Sequence, residues 1–245
     1  MICIGGITRL TESGLSMVEW RPLIGILPPM NEDEWQRIFA LYQQTPEYRL
    51  VNYAMDLTAF QTIFWWEYIH RVWGRLIGVI FAVPFLLFFL KGWLTPRLTV
   101  RLFGLLVLGG LQGLIGWWMV KSGLADRPDV SQYRLAVHLV MALLILAALF
   151  YLALSLLIPP SRRVRVRRSL FGHAWLAVAA ILVTIVSGAF VVGTGAGQIY
   201  NSFPLMGGRL VPAAAGLRSE VAIVGGLARV LFGAEESRVR WRELA

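Results

Sequence analysis

The stretch EYIHRVWGRLIGVIFAVPFLLFFL, Glu67 to Leu90, decides the fold. From Tyr68 to Leu90 it is nearly all apolar, and a helix rising ~1.5 Å per residue over that length crosses a hydrocarbon core of ~30 Å. Three further runs qualify on the same grounds: Leu98–Val120, Leu135–Ile158 and Leu170–Gly193. The composition agrees, with 57% hydrophobic and 15% charged residues and a mean hydropathy of +0.65. Apolar residues gathered into runs, rather than spread at globular spacing, imply an all-α integral membrane protein. Pro159 and Pro160 donate no backbone hydrogen bond and should end the third span; Pro84 should kink the first.

The net charge of +9 raises nucleic acid as a partner, but the basic residues gather at the ends of apolar runs. Five of the 21 arginines lie between Ser161 and Ser169. That pattern encodes topology and sets nucleic acid aside. Lys91–Arg101 holds three basic and no acidic residues, and Ser161–Ser169 holds five and none, whereas Ser122–Arg134 and Glu19–Trp66 are mixed. Lys and Arg collect in cytoplasmic loops, so the first two segments face the cytoplasm and the others face outward. The outer segment Trp20–Trp66 is polar and aromatic, with a helix-like stretch from Asn31 to Gln44 opened by an Asn31/Glu34 capping box. A loop of this length is expected to cover the outer helix ends. Cys3 is the single cysteine, which excludes an intrachain disulfide and a thiolate metal cage. Met1–Met17 lacks the parts of a signal peptide and reads as the end of a membrane helix that begins earlier.

On this map His70 and His138 each fall about three residues inside a span, near the outer ends of the first and third. A histidine is costly in hydrocarbon without a partner. Two at one level can reach one metal, and a haem iron between two imidazoles is the economical reading. Glu67, His70, Arg71, Gly74, Arg75 and Gly78 recur at helical spacings of three and four and so share one stripe. It has a carboxylate at the mouth and a histidine one turn deeper. Gly74 and Gly78 would let a flat macrocycle lie close to the backbone, while Arg71 and Arg75 could pair with anionic propionates or with Glu67.

Plainer readings stand beside these. A histidine near an interface can serve only as a hydrogen-bonding residue. Glu67 can cap its helix or pair with Arg71. Glycines in membrane helices commonly mark helix–helix contact. Gly109, Gly110, Gly113 and Gly116 read as such a seam, with Gln112 hydrogen-bonding across it. His173 follows the basic loop on the opposite side and reads as interfacial; Trp65, Trp66, Trp117 and Trp118 read as an aromatic belt. A loose internal echo, Gly5–Thr11 against Ser187–Gly197, fits a duplicated four-helix unit.

Five segments, GGITRLTESGLS (5–16), EYIHRVWGR (67–75), GLQGLIGWWMV (110–120), YRLAVHL (133–139) and YNSFPLM (200–206), together resemble haem A synthase in its proteobacterial and mitochondrial form. The resemblance covers roughly residues 2–212 in order. It implies an eight-helix membrane enzyme built from two similar four-helix halves, which oxidises the C8 methyl of haem O to the formyl of haem A for aa3-type cytochrome oxidases. The implied route is repeated hydroxylation of the methyl followed by dehydration. His70 and His138 would match the amino-terminal pair that holds the substrate haem iron, and Glu67 the carboxylate important for catalysis. Arg71, Arg75 and Gly74 would line the same haem. The implied setting is the bacterial inner membrane, with Trp20–Trp66 on the periplasmic side. Implied partners are haem O, the lipid bilayer, haem O synthase and oxidase assembly factors, with a homo-oligomer as a further expectation.

The departures define the expected domains. Residues 1–158 form the four-helix substrate half, with its first helix partial; 159–212 form a basic loop and the first helix of the second half; 213–245 form a divergent tail. The family's second half binds haem b through its own histidine pair, and Ala213–Ala245 holds nine charged residues and no histidine. The tail's best apolar run, Val221–Ala234, has 14 residues including Arg229, too short and polar to cross. The expectation is therefore a chain truncated at both ends, with a shifted reading frame behind the tail. Two readings compete with the synthase: a b-type cytochrome that binds haem and passes electrons, and an inactive fragment of the enzyme.

Overall fold

A computed structural model describes residues 1–19, 27–125, 128–158 and 167–195. The helices among them are α1 (Ile2–Leu10), α2 (Glu32–Tyr42), α3 (Pro46–Leu50), α4 (Leu57–Leu90), α5 (Pro96–Gly123), α6 (Gln132–Leu157) and α7 (Arg168–Gly193). Four of these, α4 to α7, are long and apolar enough to cross a membrane, and the protein is an all-α membrane protein. Their outward residues include Val79, Ile80, Leu86, Leu87, Leu144 and Leu146, each about half exposed. In a soluble protein so large an apolar surface would be untenable; against lipid it is what the helices need. Two compact units divide at Ala174, inside α7. In the first, α1 packs on α4, α4 on α5, and α5 on α6. The described part of the second is the body of α7.

Local chemistry sets the helix ends. The Thr95 hydroxyl accepts from the Leu98 N–H (3.4 Å) at the start of α5, and Pro96 follows at a position whose N–H would have no helical partner. At the end of α4, Gly92 takes a left-handed φ of +68°, and the Gly92 and Trp93 N–H groups donate to the Phe89 and Phe88 carbonyls at 3.0 Å. This is a Schellman closure, which a Cβ would strain. α4 continues through Pro84, and α6 ends at Leu157, ahead of the two prolines, which lie outside the described residues.

The first span differs from expectation. It begins at Leu57 rather than Tyr68, capped by Asp56, whose Oδ1 accepts from the Ala59 N–H (2.8 Å). Its 34 residues extend about 51 Å at ~1.5 Å per residue, well beyond the bilayer core, so the first three turns project as a post. α2 packs on that post around Phe39, Tyr42, Phe60 and Phe64. Tyr42 and Phe60 are fully buried with ring centroids 5.0 Å apart. Each such side chain contributes ~1.5–3 kcal/mol by burial, and ring pairs add ~0.5–1.5 kcal/mol. The segment reads as polar because its aromatic residues are spaced for this cap and not for lipid.

Of the expected capping box at Asn31, half forms. Asn31 Oδ1 accepts from the Glu34 N–H (2.8 Å), but the Glu34 carboxylate turns to Arg37, which also reaches Glu19 at 3.0 Å. Beneath the rings, Tyr42 donates to buried Glu47 (3.0 Å) and accepts from Asn52 (2.8 Å). Burial pushes the Glu47 carboxyl up to about 8, against the lowering effect of the Tyr42 hydrogen bond.

Candidate functional site

Glu67 sits where the post of α4 enters the bundle, and it is 2% exposed. The Ser16 hydroxyl and the Met17 N–H both donate to its Oε2 at 2.7 Å, and Arg71 Nη2 donates to Oε1 at 2.5 Å. Arg71 also donates to the carbonyls of Met17 (3.0 Å) and Glu19 (3.4 Å). The carboxylate and guanidinium, one helical turn apart, therefore clamp the chain leaving α1 onto α4. Arg71 thus makes one of the two pairings open to it in the sequence, the one with Glu67. Arg71 and Arg75 both line a cleft between α2 and α4, with Glu34, Arg37 and Phe64.

Residues 5–16 are folded to make this clamp. After α1, Glu12 adopts φ +52°, and the Ser13 N–H and hydroxyl both donate to the Thr8 carbonyl at 3.0 and 3.1 Å. The reversal drives Leu15, 3% exposed, into the end of α5: a Cβ added at Gly123 would lie 2.7 Å from Leu15 Cδ1. With Leu15 wedged, Ser16 and Met17 meet Glu67.

One turn deeper, His70 is half-buried against α1. A Cβ added at Gly5 would lie 3.3 Å from His70 Nε2. The same arrangement recurs across α5 and α6, where a Cβ at Gly116 would lie 3.0 Å from His138 Cε1. Each imidazole thus rests on the bare backbone of a neighbouring helix, in space that any side chain would fill. Gln112 Nε2 donates to the His138 carbonyl (3.0 Å) and lies 3.2 and 3.4 Å from the ring nitrogens. Its Oε1 is buried and has no hydrogen-bond partner among the described residues. Among the described residues no group of three or more His, Cys, Asp or Glu side chains gathers.

Other expected residues lie differently. A Cβ at Gly74 would meet Cε of Met1, the residue that caps α1, at 3.3 Å, while among the described residues nothing stands within 4 Å of Gly78. Gln112 does bond across the α5–α6 seam, but among the described residues nothing stands within 4 Å of a Cβ at Gly109, Gly110 or Gly113, and of the four glycines Gly116 makes the close approach there. A run of glycines does not say which member meets the neighbour; the helix rotation does. Trp117 and Trp118 receive Lys121 and Arg134 over their rings, at 5.3 and 4.5 Å. His173 is exposed, with its Nδ1 2.7 Å from the Ser169 carbonyl. Ser16 and Gly5 carried no role at the site in the sequence, and Gly116 only that of a helix seam. The contacts that give them one join helices far apart in the chain, where periodicity holds no signal.

The family model described as cytochrome oxidase assembly protein matches residues 1–229, past Pro212 where the motif resemblance stops. A protein named Heme A synthase from Rhodospirillum centenum is 54% identical over 213 residues, covering 87% of this chain and 57% of the relative. Its namesake from Maricaulis maris is 54% identical over 214 residues, 86% of this chain and 62% of the relative. A third, from Nitrosospira multiformis, is 49% identical over 215 residues, 86% and 60%. The chain therefore spans 57–62% of the length of these curated relatives. No solved structure matches. The order and identity of these matches, over a multi-pass helical bundle, establish that the chain belongs to the COX15-CtaA family of cytochrome oxidase assembly proteins.

Proposed function

We propose that this chain carries the substrate-haem half of a haem A synthase, which oxidises the C8 methyl of haem O to the formyl of haem A for cytochrome oxidase biogenesis. The observation that carries the reading is the pair His70 and His138, each lying against a glycine where a Cβ would intrude, at 3.3 and 3.0 Å. The residues fit an iron porphyrin: two imidazole donors, each seated against bare glycine backbone, and beside His138 a buried amide oxygen with no hydrogen-bond partner among the described residues. His70 and His138 would hold the iron of haem O. When bound, that porphyrin supplies the redox chemistry at the methyl.

The chain's own residues bind, orient and move charge. Arg75, in the cleft with Arg71, is placed to meet an anionic propionate. Glu67, one turn before His70 and held by Ser16, Met17 and Arg71, is the group proposed to take or stabilise a proton at Oε1 or Oε2. The site lies at the outer ends of α4 and α6. The proposed setting is the bacterial inner membrane, with the positive loops inside and the α2–α3 cap on the periplasmic side. Haem O synthase and oxidase assembly factors are the proposed partners, and a haem b site is proposed for the part of the family architecture beyond this half.

A second reading, haem binding without conversion, draws on one observation. The three donors on Glu67 already make the carboxylate a structural clamp. Expression in cells that make haem O, followed by pigment extraction and mass measurement, separates the two. The appearance of haem A supports the synthase. Unchanged haem O on the purified chain supports binding alone, and colourless protein despite abundant haem refutes both. Glu67→Gln should keep the haem spectrum and abolish haem A formation if the carboxylate acts chemically.

A further inference from the structure

We infer that Gln112 is a specificity-determining residue for the substrate porphyrin, its side-chain oxygen accepting a hydrogen bond from the hydroxyl that distinguishes haem O from haem b. The inference rests on the reading of His138 as a ligand of the haem iron. Gln112 and Gly116 lie one turn apart on α5, and both meet His138 of α6. Gly116 sets bare backbone beside the imidazole, and Gln112 is the polar side chain that α5 brings to the same residue. Gln112 Nε2 donates to the His138 carbonyl at 3.0 Å. A carbonyl only accepts, so this bond fixes which arm of the planar amide faces that oxygen and holds Oε1 on the other arm. Oε1 is buried and has no hydrogen-bond partner among the described residues. An acceptor taken out of water without a donor is costly, and beside a proposed haem ligand it marks where the substrate should bring one.

The chemistry of the porphyrin rim narrows the donor to one group. Methyl and vinyl substituents donate nothing, and ionised propionates only accept. Haem O has one further polar group, the hydroxyl on the side chain that carries its farnesyl tail, and that hydroxyl is its single donor. Haem b has a vinyl group at the same position and no donor at all. A site built to hydrogen-bond a hydroxyl discriminates against the analogue that lacks it, because the acceptor then stays unpaired. Gln112 therefore favours haem O over haem b with its amide left as it stands on the His138 carbonyl. Oxidation of the methyl leaves that hydroxyl intact, so the bond holds substrate and product alike.

The test uses the whole chain, purified free of haem in detergent and titrated with haem O and with haem b while the Soret band reports binding. The parent should favour haem O. Gln112→Leu, which removes the acceptor, should cut the ratio of the two affinities by about 5- to 100-fold. The farnesyl tail contributes alike in both proteins, so the change in ratio isolates the hydroxyl. An unchanged ratio, including equal weakening toward both haems, would leave Gln112 a merely structural part and overturn the inference. Should Gln112→Leu bind neither haem, infrared spectra of the parent with ¹³C-labelled glutamine decide instead. A side-chain amide carbonyl band should move to lower wavenumber with haem O and not with haem b, and identical spectra overturn the inference. His138→Ala is the control for the underlying reading. If it alters the haem spectrum while Gln112→Leu keeps the parent's ratio, the role of Gln112 falls and the ligand reading survives. If His138→Ala leaves the spectrum unchanged, or the parent binds neither haem, both fall.

Discussion

The clamp on Glu67 can be measured through Ser16→Ala, Glu67→Gln and their double mutant. Both side chains are 2% exposed, and the hydroxyl donates to a carboxylate oxygen at 2.7 Å. A hydrogen bond to a charged group contributes about 1.5–3 kcal/mol net, so Ser16→Ala should cost about that much. Glu67→Gln also strips the counterion from Arg71, whose side chain is 17% exposed. Breaking a buried pair costs about 3–5 kcal/mol. Arg71 keeps two backbone carbonyls, which lowers the expectation to roughly 2–4 kcal/mol. Against a neutral amide the Ser16 hydroxyl contributes only about 0.5–1.5 kcal/mol, so the two substitutions should be sub-additive by about 1–1.5 kcal/mol. Reversible unfolding in mixed detergent micelles supplies the four free energies. Additivity within about 0.5 kcal/mol, or a Ser16→Ala variant as stable as the parent, would show that the carboxylate does not hold the chain leaving α1.

Three other outcomes are expected. Gly116→Ala puts a Cβ 3.0 Å from His138 Cε1, so the ring must shift; the chain should fold with about 1–3 kcal/mol of overpacking and retain less haem on purification, read from the Soret absorbance. Gly123→Ala meets Leu15 at 2.7 Å and should destabilise by about 1–3 kcal/mol, with part of the loss recovered by Leu15→Ala in the same background, measured by thermal melting in detergent. Glu47 holds its proton up to about pH 8 in the folded cap, against about 4.5 for an ordinary glutamate. The folded state binds the extra proton between those values, so stability is full below about 4.5, falls as pH rises to about 8 and then levels. Glu47→Gln should flatten that profile; an unchanged slope in cap unfolding would show that Glu47 titrates normally.

Much of the site was legible because helical spacing is a local property. Glu67, His70 and Arg71 share a stripe at intervals of three and four, and the structure places Glu67 against Arg71 one turn above His70. The bond from Gln112 across the α5–α6 seam was also anticipated. The start of α4 was not, because Leu57–Trp66 buries its aromatic side chains against α2 rather than lipid, and hydropathy scores both kinds of burial alike. The glycine contacts of the imidazoles were not legible for a related reason. Gly74 and Gly78 lie on the histidine stripe, yet the backbones that the imidazoles touch are those of Gly5 and Gly116 on other helices.

The amino-acid sequence alone determined the membrane class and the number and order of the long helices among the described residues, and it set the expected sidedness of their loops and the expected depth of the two histidines. Each follows from run length, charge placement or period, which are properties of neighbouring residues. Only the tertiary structure decided that Ser16 and Met17 close on Glu67, that Leu15 wedges against Gly123, and which glycine stands beside each imidazole. Those contacts depend on the rotation of each helix about its own axis. Packing between distant segments sets that rotation, and no local pattern records it.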